Sequence, residues 1–118
     1  MKVPGPEHPL CIEPSRSHVV VRLANLEIAN SANALLLREA NYPPVLYVPR
    51  SDADMSLLER TAHLTYCPYK GDCSYYSIPV GGAKSVNAVW TYETPYPAVA
   101  EIQGYLAFYR DRVDSIQP

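Results

Sequence analysis

The chain has 118 residues, 47% of them hydrophobic, with ten Lys and Arg against twelve Asp and Glu for a net charge of -2. That length suits one domain, and so even a charge balance excludes a nucleic-acid binder working through a basic face. No apolar run approaches the roughly 18 residues of a membrane span, the start "MKVPGPEHPLCIEP" lacks the apolar stretch of a signal peptide, and three cysteines are too few for a disulfide scaffold, so the expected location is the cytoplasm, with no membrane partner.

Residues 1–17 read as an extended lead-in carrying Pro4, Pro6, Pro9 and Pro14. "HVVVRLA" (18–24) alternates and is β-branched, which predicts a strand turning at Asn25. "EIANS" and "ALLLREA" follow as two short strands broken at Ser31–Asn33. "PPVLYVP" is a strand closed by prolines at both ends, as at a sheet edge or rim. "SDADMSLLERT" (51–61) is the best helical segment, with Ser51 as cap, Asp54 three residues later and Leu57–Leu58 as a buried side. "TAHLTYC" and "SYYSIPV" are strands around a Pro68–Asp72 turn in which Gly71 takes a positive φ. "GGAKS" is a turn, "VNAVWTY" a strand, "YPAVAEIQG" one helical turn, "YLAFYRD" the last strand and "RVDSIQP" a tail. Twelve prolines, about twice the usual share, leave little room for long helices. The predicted class is mainly β: a single domain of strongly curved antiparallel sheet, tent-like or barrel-like, with one short helix.

The chemistry gathers around "TYCPYKGDCSYYSI" (65–78). His63, Thr65 and Cys67 fall on one face of their strand. At the rise of a strand, however, His63 and Cys67 stand about 13 Å apart, too far for a thiol–imidazole pair without a bulge. If the turn sets Cys67 opposite Cys73, their separation of about 5 Å would permit a disulfide. Two reduced thiols are the alternative, and the one a cytosolic chain favours. Five residues between them is not zinc spacing, and Cys11, His8 and His18 offer no second ligand pair, so no metal is expected. Lys70 at the turn tip can clamp an anion or remain a solvated lysine, and no phosphate loop is present. Asp52 and Asp54 suit helix capping before catalysis. Glu93, beside Trp90 and Tyr92, and Glu101 are the better acids for a pocket. Ten tyrosines against one phenylalanine fit rings lining a wet hollow as well as they fit a core.

"YPPVLYVPRSDADMSLLERTAHLTYCPYKGDCSYYSI" and "AVWTYETPYPAVAEIQGYLAFYRDRVD" resemble the domain-of-unknown-function family 427, catalogued as nucleotidyltransferase-like. The "CPYKG" turn, the "W-x-Y-x-x-P" segment and the "GYLAFY" end occur in the family's order, and the likeness runs over nearly the whole chain. The resemblance implies a small, curved antiparallel domain similar to the β-tent, and no established activity. Cys67, Lys70 and Gly71 match the family turn; Trp90, Tyr92 and Pro95 match the aromatic segment. Cys73 departs from it, standing where a small residue is expected. The Gly-Ser strand that a metal-dependent nucleotidyltransferase would place before Asp52-x-Asp54 is lacking.

Three functions remain open on these residues. The first is a small-molecule-binding domain, without cofactor, whose pocket takes His63, Thr65, Cys67, Tyr69, Lys70, Trp90, Tyr92 and Glu93. The second is an enzyme directed at nucleotides or carbonyl compounds, with Cys67 as nucleophile, Lys70 as stabiliser of negative charge and His63 as a further candidate. The third is an interaction module pairing through the sheet edge near "PPVLYVP", as a monomer with a partner or as a homodimer.

Overall fold

Alternation of buried and exposed residues builds the first hairpin. Val19, Val21 and Leu23 are buried while Arg22 between them is exposed, the pattern of a strand with one face on a core. The structure is a computed structural model and describes residues 1–117. It contains ten strands in three antiparallel sheets: β10 (Ser115–Gln117), β2 (Val19–Leu23) and β3 (Leu26–Ser31); β1 (Leu10–Pro14), β4 (Leu35–Glu39) and β5 (Val45–Tyr47); and β6 (Glu59–Cys67), β7 (Gly71–Ser77), β8 (Val89–Thr91) and β9 (Leu106–Phe108). The radius of gyration, 13.9 Å, is that of one compact domain of this length, about 13.5 Å.

The sheets do not close into a barrel. Instead, Val48 and Leu106 exchange two backbone hydrogen bonds of 2.8 Å, which join the rim beyond β5 to β9. The edge near "PPVLYVP" is thereby partly taken up, and the long free edge of the domain is β6. Seven of the nine β6 residues are exposed, including Leu64 and Tyr66.

One core lies on each side of this joined surface, because alternate residues of its strands point opposite ways. Tyr76, Ile78, Val89, Leu106 and Phe108 pack with Val19, Val21 and Ile28. Cys73, Tyr75, Tyr92 and Ala107 pack with Leu37, Tyr47 and Ile102. Tyrosine stands in the second core where phenylalanine would ordinarily be found, and its hydroxyls reappear in the site below.

The predicted helix over 51–61 is not formed. Two 3-10 turns, Arg50–Asp52 and Met55–Leu57, replace it, each followed by an extended residue (Ala53 and Leu58). Ser51 is not a cap: Pro49 precedes the first turn and makes no side-chain cap, and Asp54 itself caps the second, its carboxylate accepting hydrogen bonds from the N–H and hydroxyl of Ser56. Glu59–Thr61 then join β6. The lead-in contains β1, the "GGAKS" turn is part of a 3-10 stretch over Pro79–Ser85, and the tail contains β10. "YLAFYRD" is a strand only over Leu106–Phe108, and Arg110–Arg112 form another 3-10 turn. Among the described residues no helix is long and apolar enough to cross a membrane.

Candidate functional site

The β6–β7 hairpin turns through three residues, Pro68–Lys70, rather than five. The Lys70 N–H donates to the Cys67 carbonyl, and Gly71 takes φ 105°, a backbone conformation that a side chain would strain. Cys67 therefore pairs with Gly71 and Thr65 with Cys73. The two cysteines are not opposite one another, which removes the premise for a bond between them.

The tight turn curls Lys70 back over the sheet. Its Nζ donates to Glu39 Oε1 on β4 and lies 3.6 Å from Cys67 Sγ. Side-chain exposures of 10% for Lys70 and 12% for Glu39 make this a nearly buried ion pair. The second Glu39 oxygen lies 2.7 Å from His8 Nε2, and the His8 ring stacks on Tyr69 at 3.9 Å. Burial alone would raise the pKa of the Glu39 carboxyl. The hydrogen bonds from Lys70 and His8 outweigh it and bring the group below its ordinary 4.5. The lead-in is held against the turn by Lys2 N–H on the Pro68 carbonyl and Ala40 N–H on that of Pro9.

Beside this pair opens a cavity of about 710 Å³, within the size range of small-molecule pockets, roughly 300–1,000 Å³. Its walls are aromatic and aliphatic, with Tyr47, Trp90 and Tyr92 on one side and Val19, Val45 and Phe108 among the rest; Glu39, Cys67 and Lys70 form its polar end. The exposed lining residues Tyr42, Pro43, Pro44 and Arg110 mark the mouth. Trp90 Nε1 donates to the Tyr47 hydroxyl at 3.2 Å, and Tyr109 packs on Trp90 at 4.6 Å.

The Tyr47 hydroxyl is a donor short of an acceptor. Tyr47, 1% exposed, receives the Trp90 N–H, while its own proton has no acceptor among the described residues. Tyr92, 7% exposed, lines the same cavity. Burial pushes both phenols far above their ordinary value, so they stay protonated. Burial likewise raises the Cys73 thiol.

Of the residues expected in a pocket, Cys67, Lys70, Trp90 and Tyr92 line this cavity together. Thr65 and His63 stand one layer behind it. The Thr65 hydroxyl shares a 2.9 Å hydrogen bond with the lining Tyr75, and the His63 ring meets Tyr75 at 4.5 Å. The group beside Cys67 Sγ is Lys70, not His63. Tyr69 supports His8. Glu93 lies elsewhere, held by Arg60 through contacts of 3.0 and 2.7 Å; that hydrogen-bonded guanidinium lowers its pKa. Glu101 is exposed. Asp52 accepts from Ser31 at 2.6 Å and Asp54 caps a turn, away from the cavity. His18 meets Asn30, and Cys11 is exposed on β1.

Glu39, His8 and Tyr47 were missed by sequence reasoning. The available signal was Glu39 closing a strand that opens with Leu35–Leu37, but its partners lie 31 residues away on both sides. Glu93→Gln is expected to leave the unfolding midpoint within about 2 °C of the parent, because an exposed ion pair contributes little, and to leave the cavity intact. Thermal melts followed by tryptophan fluorescence test both points together.

Joined antiparallel sheets beside an open aromatic cavity with an ion pair at one end define a mainly β domain. Residues 11–117 match the model of the domain of unknown function DUF427, and the chain belongs to that family. No curated protein matches the chain.

Proposed function

We propose that this protein binds a small, flat organic molecule bearing a hydrogen-bond acceptor. The observation that carries the reading is the convergence on one cavity of aromatic walls and three donors, Tyr47, Tyr92 and Lys70. Rings stack a flat body, and hydroxyl and ammonium donors lining the cavity favour a ligand oxygen that accepts from them. A near-neutral surface speaks for a pocket-recognised ligand over nucleic acid. An odd number of cysteines supports a reducing, cytoplasmic setting.

Native mass spectrometry of the protein purified from its own host tests this directly. A co-purifying small mass, released on unfolding, is the expected result. Trp90→Ala removes an aromatic anchor and is expected to weaken retention roughly 25-fold or more. A bare chain, or the same mass held equally by Trp90→Ala, overturns the reading.

A further inference from the structure

The three parts of the cavity each specify one part of a ligand. Stacked rings favour a planar, conjugated body. The donors at the polar end require an oxygen. Cys67 Sγ, half-buried beside the Lys70 ammonium, is a soft nucleophile facing the same space. We infer that Cys67 covalently captures conjugated enones or enals, with Lys70 holding the carbonyl oxygen. This deepens the binding reading above and rests on it.

Lys70 is placed for the task by its proton count. An ammonium has three donors; one goes to Glu39 and one toward Cys67 Sγ, leaving the third for the ligand. Lys70 Nζ is engaged by Glu39 on one side and Cys67 Sγ on the other, which places it to bind an oxygen and leaves the thiol as the nucleophile. Cys73 is 1% exposed and absent from the cavity wall. In the step itself, the sulfur of Cys67 forms a bond to the β-carbon, the C=C π pair moves between the α-carbon and the carbonyl carbon, and the C=O π pair moves onto the oxygen. The resulting enolate is stabilised by the Lys70 N–H. The thiol proton leaves to water at the mouth, and a proton returns from water to the α-carbon. The net result is addition of S–H across the double bond, with no oxidant, reductant or leaving group.

The test uses benzylideneacetone, an aromatic enone, and its saturated counterpart benzylacetone. Intact-mass spectrometry with peptide mapping should find one adduct, on Cys67, formed roughly tenfold or more faster than any on the more exposed Cys11. Cys67→Ser should abolish it. Lys70→Met should slow it by roughly ten- to a hundredfold, the worth of a charge-assisted hydrogen bond. Since Lys70→Met also strips a buried ion pair, the parent protein in urea supplies a variant-free check: selectivity for Cys67 over Cys11 must vanish on unfolding. Benzylacetone should perturb the fluorescence of Trp90, the single tryptophan, and leave no adduct. If benzylacetone binds but the enone modifies Cys11 as fast as Cys67, covalent capture is overturned and the binding reading stands. If benzylacetone leaves Trp90 unperturbed and enone labelling is unselective, both fall.

Discussion

Lys70→Met is expected to destabilise the protein by about 3–5 kcal/mol, the cost of leaving a buried charge without its partner. The charge left behind is Glu39, 12% exposed in its side chain, with His8 alone remaining beside it. Urea unfolding measures the loss. The double variant Lys70→Met/Glu39→Gln should be less destabilised than the sum of the two singles, since removing both members leaves no orphan. A simple sum would mean that the pair is not coupled.

The same pair sets an acid limit. The folded-state pKa of Glu39 lies below its ordinary 4.5, so its contribution is complete above about pH 4.5 and is lost as pH falls through the depressed folded value. Glu93 and Asp114 are depressed as well, by Arg60 and by Lys84. The parent should therefore lose stability on acidification, and Glu39→Gln should lose less over the same interval.

The second large effect is expected at Leu106, which is fully buried in the first core and whose backbone makes the seam with Val48. Leu106→Ala retains both seam hydrogen bonds, because they are main-chain, and removes only packing. A loss of about 2–5 kcal/mol follows from deleting a buried leucine, with the denaturant slope unchanged. A loss under about 1 kcal/mol would show that the first core can close over the gap.

Much of this architecture was legible from alternation. Strands β2, β3, β4, β7 and β8 fall within segments that β-branched and aromatic residues mark as strands, β2 with one buried face and β7 with both. The opposite placement of Tyr75 and Tyr76, readable from a period of two, separates the two cores. The segment 51–61 misled because Ser, Asp and a Leu pair suit a helix start. Tertiary demands prevailed: Ala53 bridges to Ala29 in β3, and Asp54 N–H donates to the Ile28 carbonyl. β10, Ser115–Gln117, has a single apolar residue, Ile116, so no alternation marks it.

The site was half legible. Cys67, Lys70, Trp90 and Tyr92 could be named because a tight turn and a shared strand face are local properties. Glu39 and His8 could not, because their meeting depends on how β1 and the lead-in are brought against a hairpin formed far along the chain. Glu93 seemed a pocket acid from its aromatic neighbours. It instead serves Arg60, whose position depends on the register break in β6 between Arg60 and Leu64.

The pairing of β2 with β10 has a consequence for synthesis on the ribosome. The Ala24 N–H donates to the carboxylate of Asp114, 90 residues later, immediately before the strand that covers one side of β2. At about 5–20 residues per second, the β2–β3 hairpin waits roughly 4–17 seconds with Val20 and its neighbours lacking their final edge. During that interval the nascent chain offers an open strand to any other chain nearby. Slow codons between residues 31 and 115 would lengthen the exposure, and fast ones would shorten it.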